Sequence, residues 1–173
     1  MPMRPVRVRL AAAGVSAWIP LNRYPSSYAV ALALYFSSNK NLTANVQYSL
    51  DPLEARPANV SRSTTTATLK LVNHGLSVDD SIVVEAAPAP FAGTYAVASV
   101  VDQDTITYTV VDSGATAAFD IKVIPIRVQL HSVLNTITAD ADSNFSFPPT
   151  CCRLYVSSYT AGYVDLDVIS ATK

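Results

Sequence analysis

The sequence predicts an all-β protein: an antiparallel β-sandwich of the jelly-roll or immunoglobulin-like type, formed by the N- and C-terminal segments, with a small β-module inserted into it. Three observations support this prediction. Apolar and polar residues alternate with a period of two along much of the 173-residue chain, which places one face of each strand in a core and the other in water. No window longer than about ten residues has helical periodicity. Turn signals recur about every 8 to 12 residues, as in sandwiches and barrels.

The N-terminal part contains three predicted strands. In the first, residues 6–10, Val6, Val8 and Leu10 alternate with two arginines. The second, residues 28–36, is apolar on both faces and is predicted to be a central strand of its sheet. In the third, residues 44–50, alternate apolar residues again share one face.

The middle of the chain opens on a Ser-Thr run and contains five short predicted strands, at 66–72, 81–85, 94–101, 105–111 and 117–123. The C-terminal part adds strands at 126–130 and 164–168 and one that contains the cysteines. Neither flank holds enough strands for a sandwich, whereas the two together hold about seven or eight. We therefore expect a discontinuous β-sandwich domain, residues 1–61 plus 123–173, and an inserted small β-domain, residues 62–122, because domain termini tend to lie close together.

The composition excludes several classes of protein. Half of the residues are hydrophobic, 14% are charged and the net charge is -1. A disordered chain would be less hydrophobic and more charged, and a nucleic-acid-binding protein would carry a basic excess. The longest apolar stretch, 28–36, is far shorter than the roughly 20 residues of a membrane-spanning helix. We expect neither nucleic acid nor a membrane as a partner.

The N-terminus has a superficial likeness to a secretory signal, because arginines precede the apolar segment 10–20. That segment contains Gly14, Ser16 and Pro20, and the arginines alternate with apolar residues as in a strand. The pattern favours a strand over a signal peptide.

The two cysteines are adjacent, at Cys151 and Cys152. A vicinal pair cannot cross-link distant strands, so the sequence predicts no disulfide framework, and the pair suits a reducing cytoplasm. Strand alternation predicts that one thiol faces the core and the other faces outward.

Two pairs of aspartates are candidates for chemistry. Asp165 and Asp167 share one face of a strand and are predicted to form its solvated side. Asp140 and Asp142, in the sequence Asp-Ala-Asp-Ser-Asn, resemble the start of a calcium loop, but the glycine and the distal glutamate of an EF-hand are missing. A polar turn is the favoured interpretation at 140–144.

The two histidines, His74 and His131, offer no catalytic constellation. His74 precedes Gly75 in a predicted turn and His131 ends a predicted strand, so each is expected to tie its own loop by hydrogen bonds. Neither accompanies a nucleophilic serine or cysteine motif, and the five dispersed glycines form no phosphate loop. We expect no enzyme activity, no catalytic, cofactor-binding or metal-binding residues and no cofactor, and the partner-binding residues are not identified by the sequence.

The aromatic residues give the strongest indication of binding. The chain has nine tyrosines, which either form a contact surface, as tyrosine does at interfaces, or reflect the preference of tyrosine for strands. The contact-surface candidates are Tyr24, Tyr28, Tyr35, Tyr155, Tyr159 and Tyr163. Trp18 is expected to be a core anchor rather than a ligand platform.

Several segments resemble structural proteins of tailed bacteriophages. In the middle of the chain they are NHGLSVDD at 73–80, GTYAVASV at 93–100 and DTITYTV at 104–110. In the flanks they are SAWIPL at 16–21, ANVQYSLD at 44–51, NFSFP at 144–148, Arg153-Leu154 and VDLDV at 164–168. The middle segments are similar to a small β-module of virion proteins, although Asp79 replaces the usual glycine of one turn. The flanks are similar to uncharacterised β-rich proteins encoded among head and tail genes.

This resemblance implies a non-enzymatic virion component that is assembled in the bacterial host cytoplasm. Within that class the sequence favours a capsid decoration or cement protein on the outside of the head, expected to be a homotrimer that binds the major capsid protein or other virion proteins. A head-to-tail connector or a tail- or fibre-attached protein is the alternative. A carbohydrate-binding or adhesin module is a second alternative, from a different class.

Overall fold

The computed structural model describes residues 5–21, 30–85, 87–111 and 114–170. These residues form sixteen strands and no helix, and the strand pairs are antiparallel, which confirms the all-β, antiparallel prediction. The strands are β1 (Val6–Leu10), β2 (Gly14–Val15), β3 (Ile19–Pro20), β4 (Val30–Phe36), β5 (Asn41–Ser49), β6 (Arg56–Ser63), β7 (Thr66–Lys70), β8 (Ser81–Glu85), β9 (Gly93–Ala96), β10 (Ser99–Asp102), β11 (Thr105–Thr109), β12 (Thr116–Ile126), β13 (Gln129–Leu130), β14 (Ala141–Phe145), β15 (Cys151–Ala161) and β16 (Val164–Ser170).

The chain divides into two compact units, residues 1–50 with 129–173 and residues 51–128. We call them the sandwich unit and the inserted unit. The inserted unit extends beyond the expected 62–122 on both sides, because β6 and β12 belong to it over their whole length. These strands pair with each other at the centre of one sheet, and the expected boundaries fall inside them.

The sandwich unit has two sheets, with strand orders β1-β16-β4-β14 and β13-β5-β15-β2, and β3 pairs with β15. Alternate residues of the central strands are buried, so the apolar faces of both sheets contribute to one core. In β4, for example, Val30, Leu32 and Leu34 are buried while Tyr35 is exposed. The buried residues of this core include Leu32, Leu34, Leu42, Val46, Leu134, Phe145, Leu154, Val156, Val164 and Leu166.

The inserted unit is one curled seven-stranded sheet, with strand order β10-β11-β7-β6-β12-β8-β9. Its core gathers side chains from nearly the whole strand order, including Val60, Leu69, Ile82, Val84, Ile106, Tyr108 and Val123. The predicted strand 94–101 is two strands, β9 and β10, which lie at opposite ends of the strand order.

The first and last segments of the inserted unit are tied to each other. The carboxylate of Asp51 accepts a hydrogen bond from the backbone N–H of Arg127 at Oδ2, 2.6 Å, and one from Nε of Arg127 at Oδ1, and the two side chains form an ion pair. Asp80 accepts a hydrogen bond from the Val128 N–H at 2.7 Å and another from the Ser77 N–H. The unit is thus closed by its own side chains at the point where the chain joins it.

In the described ranges no helix has the length and apolar character needed to cross a bilayer.

Candidate interaction surface

The outer face of the four-stranded sheet carries an ordered array of charged and aromatic side chains. Register places Arg7 opposite Asp167 and Arg9 opposite Asp165 on β1 and β16. On the other side of β16, Tyr35 of β4 lies opposite Asp165. Cross-strand partners on one face of a sheet lie within about 5 Å of each other at their Cβ atoms, so the sheet itself assembles the array.

Each arginine makes a two-pronged ion pair. Arg7 donates from Nε and Nη2 to the two carboxylate oxygens of Asp167, both at 2.6 Å, and Arg9 does the same to Asp165 at 2.7 Å. The hydrogen bond from Arg9 holds the pKa of Asp165 below its usual range. The hydrogen bond to Asp167 raises the pKa of Arg7, and the hydrogen bond to Asp165 raises the pKa of Arg9. Such fork-like pairs fix the guanidinium planes.

The prediction that Asp165 and Asp167 form a solvated face is wrong. The two residues are only 4% and 7% exposed, because the arginines lie over them, with side chains 58% and 54% exposed. The alternation identified the correct face of β16, but it could not show that a neighbouring strand supplies a cover for the acids.

Two exposed tyrosines complete this surface. The guanidinium carbon of Arg9 lies 3.8 Å from the ring centroid of Tyr163, and reciprocal hydrogen bonds with Ser37 hold the Tyr163 backbone. Tyr35 is 48% exposed and Tyr163 is 36% exposed. We define the Arg-Tyr face as Arg7, Arg9, Tyr35, Tyr163, Asp165 and Asp167. Arginine and tyrosine are the residues enriched at the energetic centres of protein interfaces, and each guanidinium has more N–H donors than its ion pair uses.

The other tyrosines lie elsewhere. Tyr159 is exposed on β15 and Tyr155 is half-buried on the same strand. Tyr24 and Tyr28 lie outside the described residues. The candidates from the sequence therefore do not all belong to one surface, and the arginines that organise two of them were not identified from the sequence.

Both histidines tie their own loops, as the sequence indicates. In His74, Nδ1 accepts the Leu76 N–H at 2.9 Å and Nε2 lies 2.9 Å from the Asp102 carbonyl oxygen. In His131, Nδ1 accepts the Val133 and Leu134 N–H groups at 3.1 Å, and Nε2 lies 3.2 Å from the Asn144 carbonyl oxygen. These bonds engage both nitrogens of each ring with backbone groups.

One cleft of the inserted unit, of about 290 Å³, brings His74 together with Asp51 and Glu54. General acid-base chemistry needs a ring nitrogen within reach of the reacting group. Both nitrogens of His74 are engaged by backbone groups, and Asp51 is engaged by Arg127.

The cysteines point to opposite faces of β15, but neither faces solvent. Cys152 lies in the core of the sandwich unit, whereas Cys151, which register places opposite Ser49 and Pro20, is also fully buried. Burial raises the pKa of Cys152 to about 12. The expectation of an outward-facing thiol is wrong, since the side of the sheet that carries Cys151 is covered as well.

Trp18 is not part of the core cluster. It is half-buried and its ring lies 4.3 Å from the guanidinium carbon of Arg153, which corrects the expectation of a core anchor. Arg153 is itself buried and donates to Oε1 of Gln47 at 2.7 Å. Burial lowers the pKa of Arg153 to about 10, so the guanidinium is charged at neutral pH. A lone arginine between Cys152 and Leu154 was the only sequence signal for this packing.

The segment 140–144 is not a turn. Residues 141–145 form β14, an edge strand paired with β4, and Oδ1 of Asp140 accepts the Phe36 N–H at 2.8 Å. An extended strand cannot wrap its oxygens around a calcium ion as a loop does. Nowhere in the part of the chain that the structure describes do three or more histidine, cysteine, aspartate or glutamate side chains gather in a metal-binding arrangement.

Comparisons of the chain with protein-family models, with curated proteins and with solved structures found no match.

Proposed function

We propose that this protein is a non-enzymatic structural component of a tailed-bacteriophage particle, where it binds the outer surface of the head as a decoration or cement protein. The observation that carries the binding role is the Arg-Tyr face. Its arginines are held in place by buried carboxylates before any partner arrives, so binding costs little side-chain entropy. The assignment to a virion rests on the resemblance of the sequence segments described above.

The sandwich unit makes the contact with the shell in this proposal, because it carries the Arg-Tyr face. The partner is the major capsid protein or another virion protein, and the protein binds as a homotrimer. The inserted unit is directed to the exterior. Cys151 and Cys152 are buried and form no disulfide, which is consistent with assembly in the host cytoplasm.

Particle composition tests the location. Quantitative mass spectrometry of purified particles should find a copy number comparable to that of the major capsid protein. A copy number of a few per particle would instead assign the protein to the neck, the tail or a fibre, and absence from particles would overturn the virion proposal.

Binding of tyrosine variants to particles that lack the protein tests the surface. Tyr35→Ala should weaken binding about tenfold or more, as loss of an interface hot spot does. Tyr159→Ala is the matched control, because Tyr159 is also exposed but lies on the other sheet. Equal binding by both variants would show that the Arg-Tyr face is not part of the contact with the shell.

The exposed tyrosines also favour a second candidate function, a carbohydrate-binding or adhesin module, since sugars stack on aromatic rings. A glycan array with the full chain distinguishes the capsid-decoration function from the carbohydrate-binding function. Retention of one glycan class, lost in Tyr35→Ala and Tyr163→Ala, together with absence of the protein from head shells, would favour the adhesin function.

A further inference from the structure

The inserted unit has an open groove of about 740 Å³ on its sheet, within the size range of ligand sites, about 300 to 1,000 Å³. It lies over the central strand β6. We define the lysine groove as Pro57, Asn59, Lys70, Val72, Asp120 and Lys122, which all line it. No part of the proposed shell contact uses these residues.

The strand register explains the shape of the groove. Pro57 and Asn59 share one face of β6, and Lys122 of β12 lies opposite Pro57 while Lys70 of β7 lies opposite Asn59. Two long side chains therefore rise on either side of a strand with short ones. Because neighbouring strands are about 4.8 Å apart, the two walls are about 10 Å apart, which is the width that an extended peptide needs.

The charge of the groove favours an acidic ligand. Lys70 and Lys122 are exposed and, within the described ranges, neither forms an ion pair. The single carboxylate of the lining, Asp120, accepts a hydrogen bond from Nδ2 of Asn59 at 3.2 Å. Cations thus outnumber the acid.

The rest of the lining distinguishes a peptide from a sugar. Pro57 and Val72 supply aliphatic contacts, and Val72 is well exposed for an apolar residue. None of the residues that line the groove is aromatic, whereas sugar sites use aromatic rings for stacking. Aliphatic contacts between lysines suit a strand in which acidic and apolar side chains alternate.

We infer that the lysine groove binds an extended acidic peptide segment of a partner protein, with carboxylates on Lys70 and Lys122 and apolar side chains on Pro57 and Val72. This gives the inserted unit a binding function of its own, separate from that of the Arg-Tyr face. It holds whether or not the protein is a virion component.

Fluorescence anisotropy with the full chain tests the inference. The probe is a dye-labelled peptide in which Glu alternates with Val, and the control peptide has Gln in place of each Glu. The Glu peptide should bind more tightly, and its affinity should fall with added salt because exposed charges are screened. Lys70→Gln and Lys122→Gln should each weaken binding about two- to fivefold, which corresponds to the loss of one exposed ion pair.

Two further variants exclude a general effect of charge or folding. Asp120→Asn should strengthen binding of the Glu peptide, because it removes a like charge from the groove, a gain that a merely structural role does not produce. Lys40→Gln removes a lysine of the sandwich unit and should leave the affinity unchanged. Tyr35→Ala should also leave it unchanged, which keeps this test separate from that of the proposed shell contact.

Three outcomes would overturn the inference: no binding of the Glu peptide, equal binding of the Gln peptide, or equal losses in Lys40→Gln and in the groove variants. Binding of a dye-labelled sulfated oligosaccharide that requires Lys70 and Lys122, with no binding of the Glu peptide, would assign the groove to an anionic sugar instead.

Discussion

Two neighbouring tyrosines of the inserted unit show how single polar atoms affect stability. The rings of Tyr95 and Tyr108 lie 4.7 Å apart. The Tyr95 hydroxyl donates to the carbonyl oxygen of Pro90 at 2.6 Å, whereas the hydroxyl of the fully buried Tyr108 has no hydrogen-bond partner among the residues that the structure describes. Burial raises the pKa of both phenols. A buried hydroxyl without a partner costs about 1 to 3 kcal/mol.

Tyr108→Phe should therefore stabilise the protein by about 1 kcal/mol, since it removes the unpaired hydroxyl and keeps the ring. Tyr95→Phe is the matched control and should destabilise it by a similar amount, because it removes a satisfied hydrogen bond. Urea unfolding of both variants measures the difference. A loss of stability in Tyr108→Phe equal to that in Tyr95→Phe would contradict the absence of a partner.

The ion pair of Arg9 and Asp165 should make stability depend on pH in the acid range. The pKa of Asp165 is lowered in the folded protein, so the folded state binds its proton less readily than the unfolded state. The resulting stabilisation is complete above the unfolded pKa of about 3.9. It is lost as the pH falls through the lower, folded pKa.

Arg9→Gln provides the comparison. At neutral pH the variant should be less stable than the wild type, because it leaves a buried carboxylate without its cation. Below about pH 4 the gap should narrow as Asp165 is protonated in the wild type. Denaturant unfolding between neutral pH and about pH 2 measures the difference in unfolding free energy between the two proteins. A difference that does not change with pH would show that Asp165 does not titrate as described.

At the level of elements, the connection between β15 and β16, which leads from one sheet of the sandwich unit to the other, depends on one glycine. Gly162 has a φ of +90°, and a Cβ atom there would lie 2.5 Å from Oγ of Ser37 and 2.8 Å from Cα of Lys40. This connection thus passes directly against the backbone that follows β4, and only glycine allows this approach.

Gly162→Ala should destabilise the protein by about 2 to 4 kcal/mol, because strain at a positive φ and a clash with backbone add together. Gly75→Ala is the control. Gly75 also has a positive φ, of 63°, but nothing lies within 4 Å of the Cβ position, so the cost should be about 1 kcal/mol. Thermal unfolding measures the loss of stability in both variants. Equal losses would mean that the structure relieves the clash at Gly162 without a cost in stability.

The elements also show which features the sequence could predict. Alternation identified the strand faces, and the turn position of His74 indicated its loop-tying role. Pairing was not predictable, because Arg7 and Asp167 are 160 positions apart and alternation carries no information about which strands are neighbours. β14 was missed because Asp, Ser and Asn have low strand propensity, and pairing with β4 overrides that preference.

At the scale of the whole molecule, the side-chain closure at Asp51 and Arg127 makes the inserted unit self-contained. It has its own core and its own sheet, in which the strands pair only with one another. A fragment of residues 51–128 should therefore fold alone, with dispersed amide signals in NMR and a cooperative unfolding transition.

Asp51→Asn in that fragment should lower its stability by about 1 kcal/mol or less, since Arg127 is largely exposed and exposed ion pairs contribute little. Asp80→Asn should cost more, because Asp80 is buried and accepts two backbone N–H groups. A fragment without dispersed signals would show that the unit needs the rest of the chain.

The position of the inserted unit also sets an order of events during synthesis. The four-stranded sheet needs both β1 and β16, which lie on opposite sides of the inserted unit in the sequence, so it cannot close until residues 164–170 have been synthesised. Residues 51–128 emerge earlier and can fold as soon as they are exposed. Once folded, they replace a long flexible loop by a compact body with tied ends, which lowers the entropy cost of bringing β5 to β15. The unit that interrupts the sandwich in sequence thereby promotes its closure.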